Sequence, residues 1–112
     1  VTMPIIVADD GITLDGAGYS LTGGGSGVGV DLVARTGVTV KNLSISNFIF
    51  GIQLRNCSGN TLEGNSITDT TNAIDFEHNN NNNTVTGNFV MTSESGILDI
   101  RFYYENENLS KS

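Results

Sequence analysis

A four-residue phrase recurs along this chain at nearly constant spacing. Its copies are GVDL, GIQL, AIDF and ILDI, which begin at residues 29, 51, 73 and 97, so the steps are 22, 22 and 24 residues. A fixed period of this length, made of short apolar runs, is typical of solenoid proteins, in which each repeat is one unit and neighbouring units share a core. The repeat therefore predicts a solenoid.

Two further phrases keep the same period and indicate which kind of solenoid forms. One is VTV, NTL and NTV, beginning at residues 38, 60 and 83; the other is LSI, NSI and NFV, beginning at residues 43, 65 and 88. Each unit thus holds three runs in which apolar and polar residues alternate, which is strand patterning. Gly, Asn, Ser, Thr and Asp separate the runs and favour turns. Three strands per coil, stacked about 4.8 Å apart, predict an all-β chain that forms a parallel β-helix.

The alternation predicts one inward column of side chains per strand position, over roughly four to five coils. The residues expected to point inward are Val30, Leu32, Val40, Ile45, Ile52, Leu54, Leu62, Ile67, Ile74, Phe76, Val85 and Val90. We interpret residues 1–112 as a single domain. Residues 1–11 are an N-terminal strand or cap, residues 12–100 are the coils, and residues 101–112 are a C-terminal cap or a tail exchanged with another subunit.

The opening of the first coil, residues 14–23 with the sequence LDGAGYSLTG, carries a resemblance to a known group of proteins. It resembles the right-handed parallel β-helix repeat proteins of the pectate-lyase-like superfamily, in their NosD-like and archaeal surface-protein branch. The later phrases GIxL, NxLxGNxI and NxVxGN fit the same repeat, so the resemblance covers about residues 12–100. It implies a right-handed, single-stranded β-helix, and it implies little about activity because one solenoid hosts many functions.

Stacked coils place equivalent residues above one another, and several such columns are polar. Asn60 is expected beneath Asn83, and Asn65 beneath Asn88, as structural ladders at corners where Asn tolerates a left-handed backbone. Their side-chain amides can bond along the column. A second ladder of alternating charge is expected from Arg55, Glu77 and Arg101.

One outward column is acidic and gives the sequence its candidate metal site. It is expected to contain Asp31, Gln53, Asp75 and Asp99. Clustered carboxylate oxygens are the ligands that calcium prefers, and the resemblance to pectate lyases implies calcium on such a face, so Asp75 and Asp99 are candidate calcium ligands. The alternative interpretation is a solvated acidic ladder, because neighbouring arginines would oppose a cation. No other cofactor is expected.

Catalysis has little support in the sequence. His78 is the only histidine and has no partners that would orient a triad, and a short solenoid offers no deep cleft for a sugar chain. The NosD-like resemblance implies copper delivery, but one His, one Cys and two Met are a poor copper donor set. That function is therefore not carried over.

Two modifications are predicted for an extracellular chain. Cys57 is the only cysteine and is expected at an exposed corner, where it would form an intermolecular disulfide, with a partly buried thiol as the alternative. Glycosylation sequons begin at Asn42, Asn56, Asn82 and Asn108. The chain begins with Val, which fits either a mature secreted protein or an excised fragment.

The net charge of −7, with five Lys and Arg, excludes a nucleic-acid groove and disfavours binding to an anionic membrane. No apolar run approaches the roughly 18 residues of a spanning helix, so membrane insertion is not expected either. Uncovered β-helix ends are unpaired edges suited to assembly.

The sequence therefore favours a non-enzymatic extracellular protein that self-assembles into a homo-oligomer or polymer, such as a surface fibre, sheath or layer. The alternative is a carbohydrate-binding or carbohydrate-active domain, a polysaccharide lyase or hydrolase, that uses the acidic column with calcium and has a glycan as its partner. The exposed aromatic candidates for sugar binding do not form a column. They are Tyr19, Phe48, Phe50, Tyr103 and Tyr104. An ice-binding face is a third interpretation. It rests on a threonine column that lacks a second row, formed by Thr13, Thr39, Thr61 and Thr84.

Overall fold

The computed structural model describes residues 4–100 and 110–111, and it describes side-chain surroundings for residues 4–92. The described residues form twelve strands and no helix. The strands are β1 (Ile5–Val7), β2 (Thr13–Asp15), β3 (Ser20–Thr22), β4 (Val28–Val33), β5 (Thr39–Lys41), β6 (Ser44–Ser46), β7 (Phe50–Arg55), β8 (Thr61–Glu63), β9 (Ser66–Glu77), β10 (Thr84–Thr86), β11 (Phe89–Ile100) and β12 (Ser110–Lys111).

The strands stack into three parallel faces, which is the predicted β-solenoid, with about four turns. Face 1 contains β2, β5, β8, β10 and β12 in that order. Face 2 contains β3, β6 and the first parts of β9 and β11. Face 3 contains β1, β4, β7 and the later parts of β9 and β11. Each strand pairs with the strand one coil further along the chain, so the sequence period sets the register.

The core fills the space between the faces. Of the twelve residues predicted to point inward, eleven are buried, and Val90 is partly buried against them. Val90 is less covered because β11 pairs only with β9 among the described strands. Val7, Leu21 and Phe48 add to the core. Because each coil buries its inward residues against its neighbours, stacking supplies most of the stabilising apolar contact.

The corners hold residues with a left-handed backbone, but not where the sequence placed them. Gly59 and Asn82, with φ of 66° and 55°, come immediately before the ladder residues Asn60 and Asn83. Gly64 and Gly87 come immediately before the second ladder in the same way, with φ of 64° and 63°. The prediction that the ladder asparagines themselves adopt this conformation is therefore wrong. The preceding residue turns the chain, which leaves the ladder side chain to point inward.

Two local irregularities change the register from 22 residues per coil. Between Glu77, which pairs with Arg55, and Asn81, which bridges Ser58, one extra residue enters the asparagine-rich corner without disturbing the strands that follow. Two register shifts then occur within β11, after Met91 and after Thr92.

The shifts within β11 correct the predicted acidic column. Ile97 pairs with Ile74, so Leu98 pairs with Asp75, and Asp99 pairs with Phe76. The prediction that Asp99 continues the column of Asp75 is wrong by one residue. It matched the two phrases by their shared aspartate, and a bulge moves a whole strand by one position.

Candidate functional site

The asparagine ladders fasten each corner to the next coil through the backbone. The N–H of Val38 donates to Oδ1 of Asn60 (2.8 Å), and the N–H of Asn60 donates to Oδ1 of Asn83 (3.1 Å). Their side-chain amides donate to the carbonyls of Arg35 (3.0 Å) and Cys57 (3.1 Å). Each asparagine therefore satisfies one buried donor and one buried acceptor that the corner removes from the strand ladder.

The second ladder repeats this arrangement between faces 1 and 2. The N–H of Leu43 donates to Oδ1 of Asn65 (3.2 Å), and the N–H of Asn65 donates to Oδ1 of Asn88 (2.9 Å). The side-chain amides of the two asparagines donate to the carbonyls of Val40 and Leu62 (3.0 and 2.9 Å). Asn88 thus lies above Asn65 as the period predicts, and both ladders are structural.

A third ladder, which the sequence analysis missed, contains the cysteine. Asn80 accepts from the N–H of Cys57 (2.9 Å) and donates to the carbonyl of Leu54 (3.3 Å). One coil earlier, Cys57 Sγ accepts from the N–H of Arg35 (3.5 Å) and donates to the carbonyl of Leu32 (3.4 Å). The thiol thus occupies the position that the Asn80 amide occupies in the next coil. The signal was present, because the step from Cys57 to Asn80 equals that from Asn60 to Asn83.

The predicted exposure of Cys57 is wrong. The side chain is free and fully buried. Burial raises the pKa of the Cys57 thiol, and hydrogen bonds from neighbouring backbone groups oppose that change only in part. A protonated, enclosed sulfur is a poor nucleophile. An intermolecular disulfide at Cys57 would require the corner to open first.

The polar side chains of face 3 form a cluster that we call the carboxylate cluster, defined by Asp31, Gln53, Arg55, Asp75 and Glu77. Gln53 lies above Asp31 and beneath Asp75, and Arg55 lies beneath Glu77. Nε2 of Gln53 donates to Oδ2 of Asp75 (2.8 Å) and to Oε2 of Glu77 (3.3 Å). Arg55 reaches back one coil to pair with Asp31 (3.2 Å). One amide and one guanidinium therefore hold three carboxyl groups.

Asp75 is the unusual member of this cluster, because its side chain is fully buried rather than solvated as predicted. Burial raises the pKa of Asp75 to about 6; the Gln53 hydrogen bond opposes this change, and the charge of Glu77 adds to it. Oδ1 of Asp75 and Nε of Arg55 are buried and have no hydrogen-bond partner. An ionised Asp75 therefore weakens the folded state near neutral pH.

Calcium binding at Asp75 and Asp99 stays a prediction, without the shared column that suggested it. Within the described part of the chain, no three His, Cys, Asp or Glu side chains gather into a metal-binding group. The charge ladder continues from Arg55 to Glu77, where the next residue in register is Ile100. Arg101 lies outside the described residues.

The predicted modification sites have the exposure that their chemistry requires where the structure describes them. Asn42, Asn56 and Asn82 are all exposed at corners, with φ of 54°, 56° and 55°. Asn108 lies outside the described residues, as do the aromatics at positions 102–104. Glycosylation at the four sequons stays a prediction.

His78 is exposed at the corner between faces 3 and 1, with φ of 66°. The described residues contain no helix long and apolar enough to cross a membrane.

Three parallel faces around one apolar core, with polar ladders at the corners, define a structural class: the parallel β-solenoids. The comparison with protein families places the chain more narrowly. The family model described as periplasmic copper-binding protein (NosD) matches residues 3–109, and the chain belongs to that family. Comparisons with the curated proteins and with the solved structures gave no match.

The described donors do not fit the copper site that the family name implies. Copper favours thiolate, thioether and imidazole ligands. Cys57 is enclosed in the third ladder, His78 lies on an exposed corner, and Met91 is exposed on face 2. Met3 lies outside the described residues. The soft donors therefore occupy different parts of the coil, and we derive no chemistry through copper.

Proposed function

We propose that this chain is a non-enzymatic structural module, located outside the cytoplasm, that joins other copies through the ends of its β-helix. The periplasmic name of the family supports the location. The observation that carries the proposal is the N-terminal end of the stack. There β1, β2 and β3 each pair with one strand only, namely β4, β5 and β6. Their outer edges present backbone donors and acceptors to a further coil.

The same end exposes apolar side chains that belong to inward columns. Ile12 precedes the residue that pairs with Thr39, so it shares a column with the buried Val38, yet Ile12 is 39 % exposed. Tyr19 shares a column with the buried Leu43 in the same way and is 76 % exposed. Covering them with another coil would remove apolar surface from water, which favours association.

The opposite end offers matching strands for a head-to-tail contact. Within the described residues, β12 pairs only with β10 on face 1, and β11 pairs only with β9 on faces 2 and 3. Each face therefore ends in a strand whose outer neighbour, in a polymer, would be β1, β2 or β3 of the next copy. A contact between different surfaces that does not close into a ring propagates into a filament.

The assembly test compares the wild type with end and side variants by light scattering and negative-stain electron microscopy. We expect large ordered assemblies from the wild type, and their loss in Ile12→Lys and in Tyr19→Lys, because each places a charge on the apolar end. Val33→Lys is the matched control, because Val33 is exposed on face 3 away from the end. Reductant should leave the assemblies intact, since Cys57 is buried.

A wild type that stays monomeric at every concentration would refute the end-joining proposal. Equal loss of assembly in Val33→Lys would show that the contact is not at the end.

A polysaccharide-active role at the carboxylate cluster is the second candidate, and one observation favours it. The pKa of Asp75 is raised to about 6, which suits a general acid near neutral pH. Its burial and its bond to Gln53 argue for a structural carboxyl instead. Cleavage of an acidic polysaccharide in the presence of calcium, abolished in Asp75→Ala, would establish the enzymatic role and overturn the structural one.

A further inference from the structure

Face 2 differs from the other two faces in the chemistry of its outward side chains. In each of its first three strands, the first and third residues are hydroxyl-bearing and stack into two rows. The rows are Ser20, Ser44 and Ser66, and Thr22, Ser46 and Thr68. The middle residues Leu21, Ile45 and Ile67 are buried in the core. The outward surface is therefore a flat platform two hydroxyl groups wide.

The hydroxyl rows end against two exposed apolar side chains on β11. Phe89 pairs with Ser66 and Met91 pairs with Thr68, so each continues one row. Phe89 is 57 % exposed and Met91 is 64 % exposed. The sequence analysis overlooked Phe89 as a sugar-binding candidate, because it read the NFV phrase as strand pattern alone.

Charge separates this platform from its surroundings. Its eight outward strand positions carry no ionisable group, whereas the protein has a net charge of −7. The equivalent positions of face 1 include Asp15, Lys41 and Glu63, and face 3 carries the carboxylate cluster. An acidic polymer would be repelled by the whole molecule, and a cationic one would find no partner on the platform. A neutral ligand matches it.

Two grooves border the platform, one along each corner. The groove on the side of face 1 has a volume of about 430 Å³ and is lined in part by Asp15, Asn42, Ser44 and Ser66. The groove on the side of face 3 has a similar volume of about 430 Å³ and is lined in part by Asn47, Asp69, Thr71 and Met91. Carboxylate and amide groups in these grooves accept and donate hydrogen bonds beside a surface of hydroxyl groups.

We propose that face 2 binds a neutral, hydroxyl-rich polysaccharide that lies along the stack, across β3, β6, β9 and β11. Successive hydroxyl groups along each row are about 4.8 Å apart because that is the strand spacing. This spacing is close to the length of one sugar unit in an extended chain, so each coil meets one sugar. Phe89 supplies an aromatic surface for the apolar face of a sugar ring at the end of the row. This proposal does not depend on end-to-end assembly.

The binding test measures retention of the full chain on washed, insoluble neutral polysaccharides, namely cellulose, chitin, mannan and starch, with polygalacturonate as the acidic comparison. We expect retention on at least one neutral polymer and not on polygalacturonate. Ser66→Lys and Phe89→Ala should each reduce retention at least tenfold. Thr61→Lys is the matched control, because Thr61 is half-buried at the equivalent outward position of face 1, on the same coil as Ser66.

Circular dichroism and thermal unfolding establish that each variant is folded, and Phe89→Ala serves if Ser66→Lys is not. Retention by none of the neutral polymers would overturn the proposal, as would preferential retention on polygalacturonate. Equal loss in Thr61→Lys would also overturn it. Self-association that Ser66→Lys abolishes, without any glycan retention, would assign face 2 to a second copy of the chain instead.

Discussion

At the scale of single residues, Cys57 shows that a side chain can be understood from its place in a column. Its thiol makes the bonds that a ladder asparagine makes, with the Arg35 N–H on one side and the Leu32 carbonyl on the other. The side chain is therefore part of the scaffold, although its residue type suggested a reactive thiol.

We expect Cys57→Asn to preserve the fold with an unfolding free energy equal to or above that of the wild type, because the amide restores the ladder pattern of Asn80. Cys57→Val should lower that free energy by about 1 kcal/mol, since it leaves the Arg35 N–H without its acceptor. Urea denaturation of the three proteins measures both effects. A larger loss in Cys57→Asn than in Cys57→Val would contradict the ladder interpretation.

Asp75 makes stability depend on pH in a direction opposite to that of an ion-paired carboxylate. Its folded pKa of about 6 lies above the ordinary value of 3.8. Between these values the folded state binds a proton that the unfolded state does not, so stability rises as pH falls from about 6 to 3.8. Above pH 6 both states are ionised, and this contribution is lost. The shift corresponds to at most about 3 kcal/mol.

We therefore expect Asp75→Asn to raise the unfolding free energy at pH 7 to 8 and to remove the rise between pH 6 and 4. Asp9→Asn, at an exposed residue, controls for the loss of one negative charge. Chemical denaturation at several pH values between 4 and 8 measures both variants. An unchanged pH profile in Asp75→Asn would show that another group titrates.

At the scale of structural elements, the corners depend on single asparagines. Asn83 is buried and bonds to the backbone of two residues one coil earlier, Asn60 and Cys57. We expect Asn83→Ala to lower the unfolding free energy by about 2–4 kcal/mol, because it orphans one buried donor and one buried acceptor. Asn79→Ala is the control from the same asparagine run, at an exposed position, and should change stability by less than about 0.5 kcal/mol. Similar effects of the two substitutions would mean that the ladder bonds contribute little.

The period of the sequence was sufficient to predict the elements but not their irregularities. Val38, Asn60 and Asn83 share a column because their spacing sets parallel register, and alternation within each strand identified the core. The shift at Asp99 was not predictable from the repeated phrase, since bulges in β11 depend on local packing. Burial of Asp75 was also missed, because a strand pattern gives the side of the sheet and not what covers it.

At the scale of the whole molecule, the two ends determine what a short solenoid does. The coils satisfy their own backbone groups, whereas β1, β2 and β3 present unpaired edges beside Ile12 and Tyr19. The net charge of −7 opposes association at low ionic strength. Assembly should therefore strengthen with added salt, which screens this repulsion over about 10 Å at 0.1 M.

Hydrogen–deuterium exchange at increasing protein concentration tests end joining most directly. We predict that amide protection in β1, β2 and β3 rises with concentration, while β5 and β8, which already pair on both sides, remain unchanged. Protection of β1, β2 and β3 that does not vary with concentration would contradict the account, because no second copy would then cover that end.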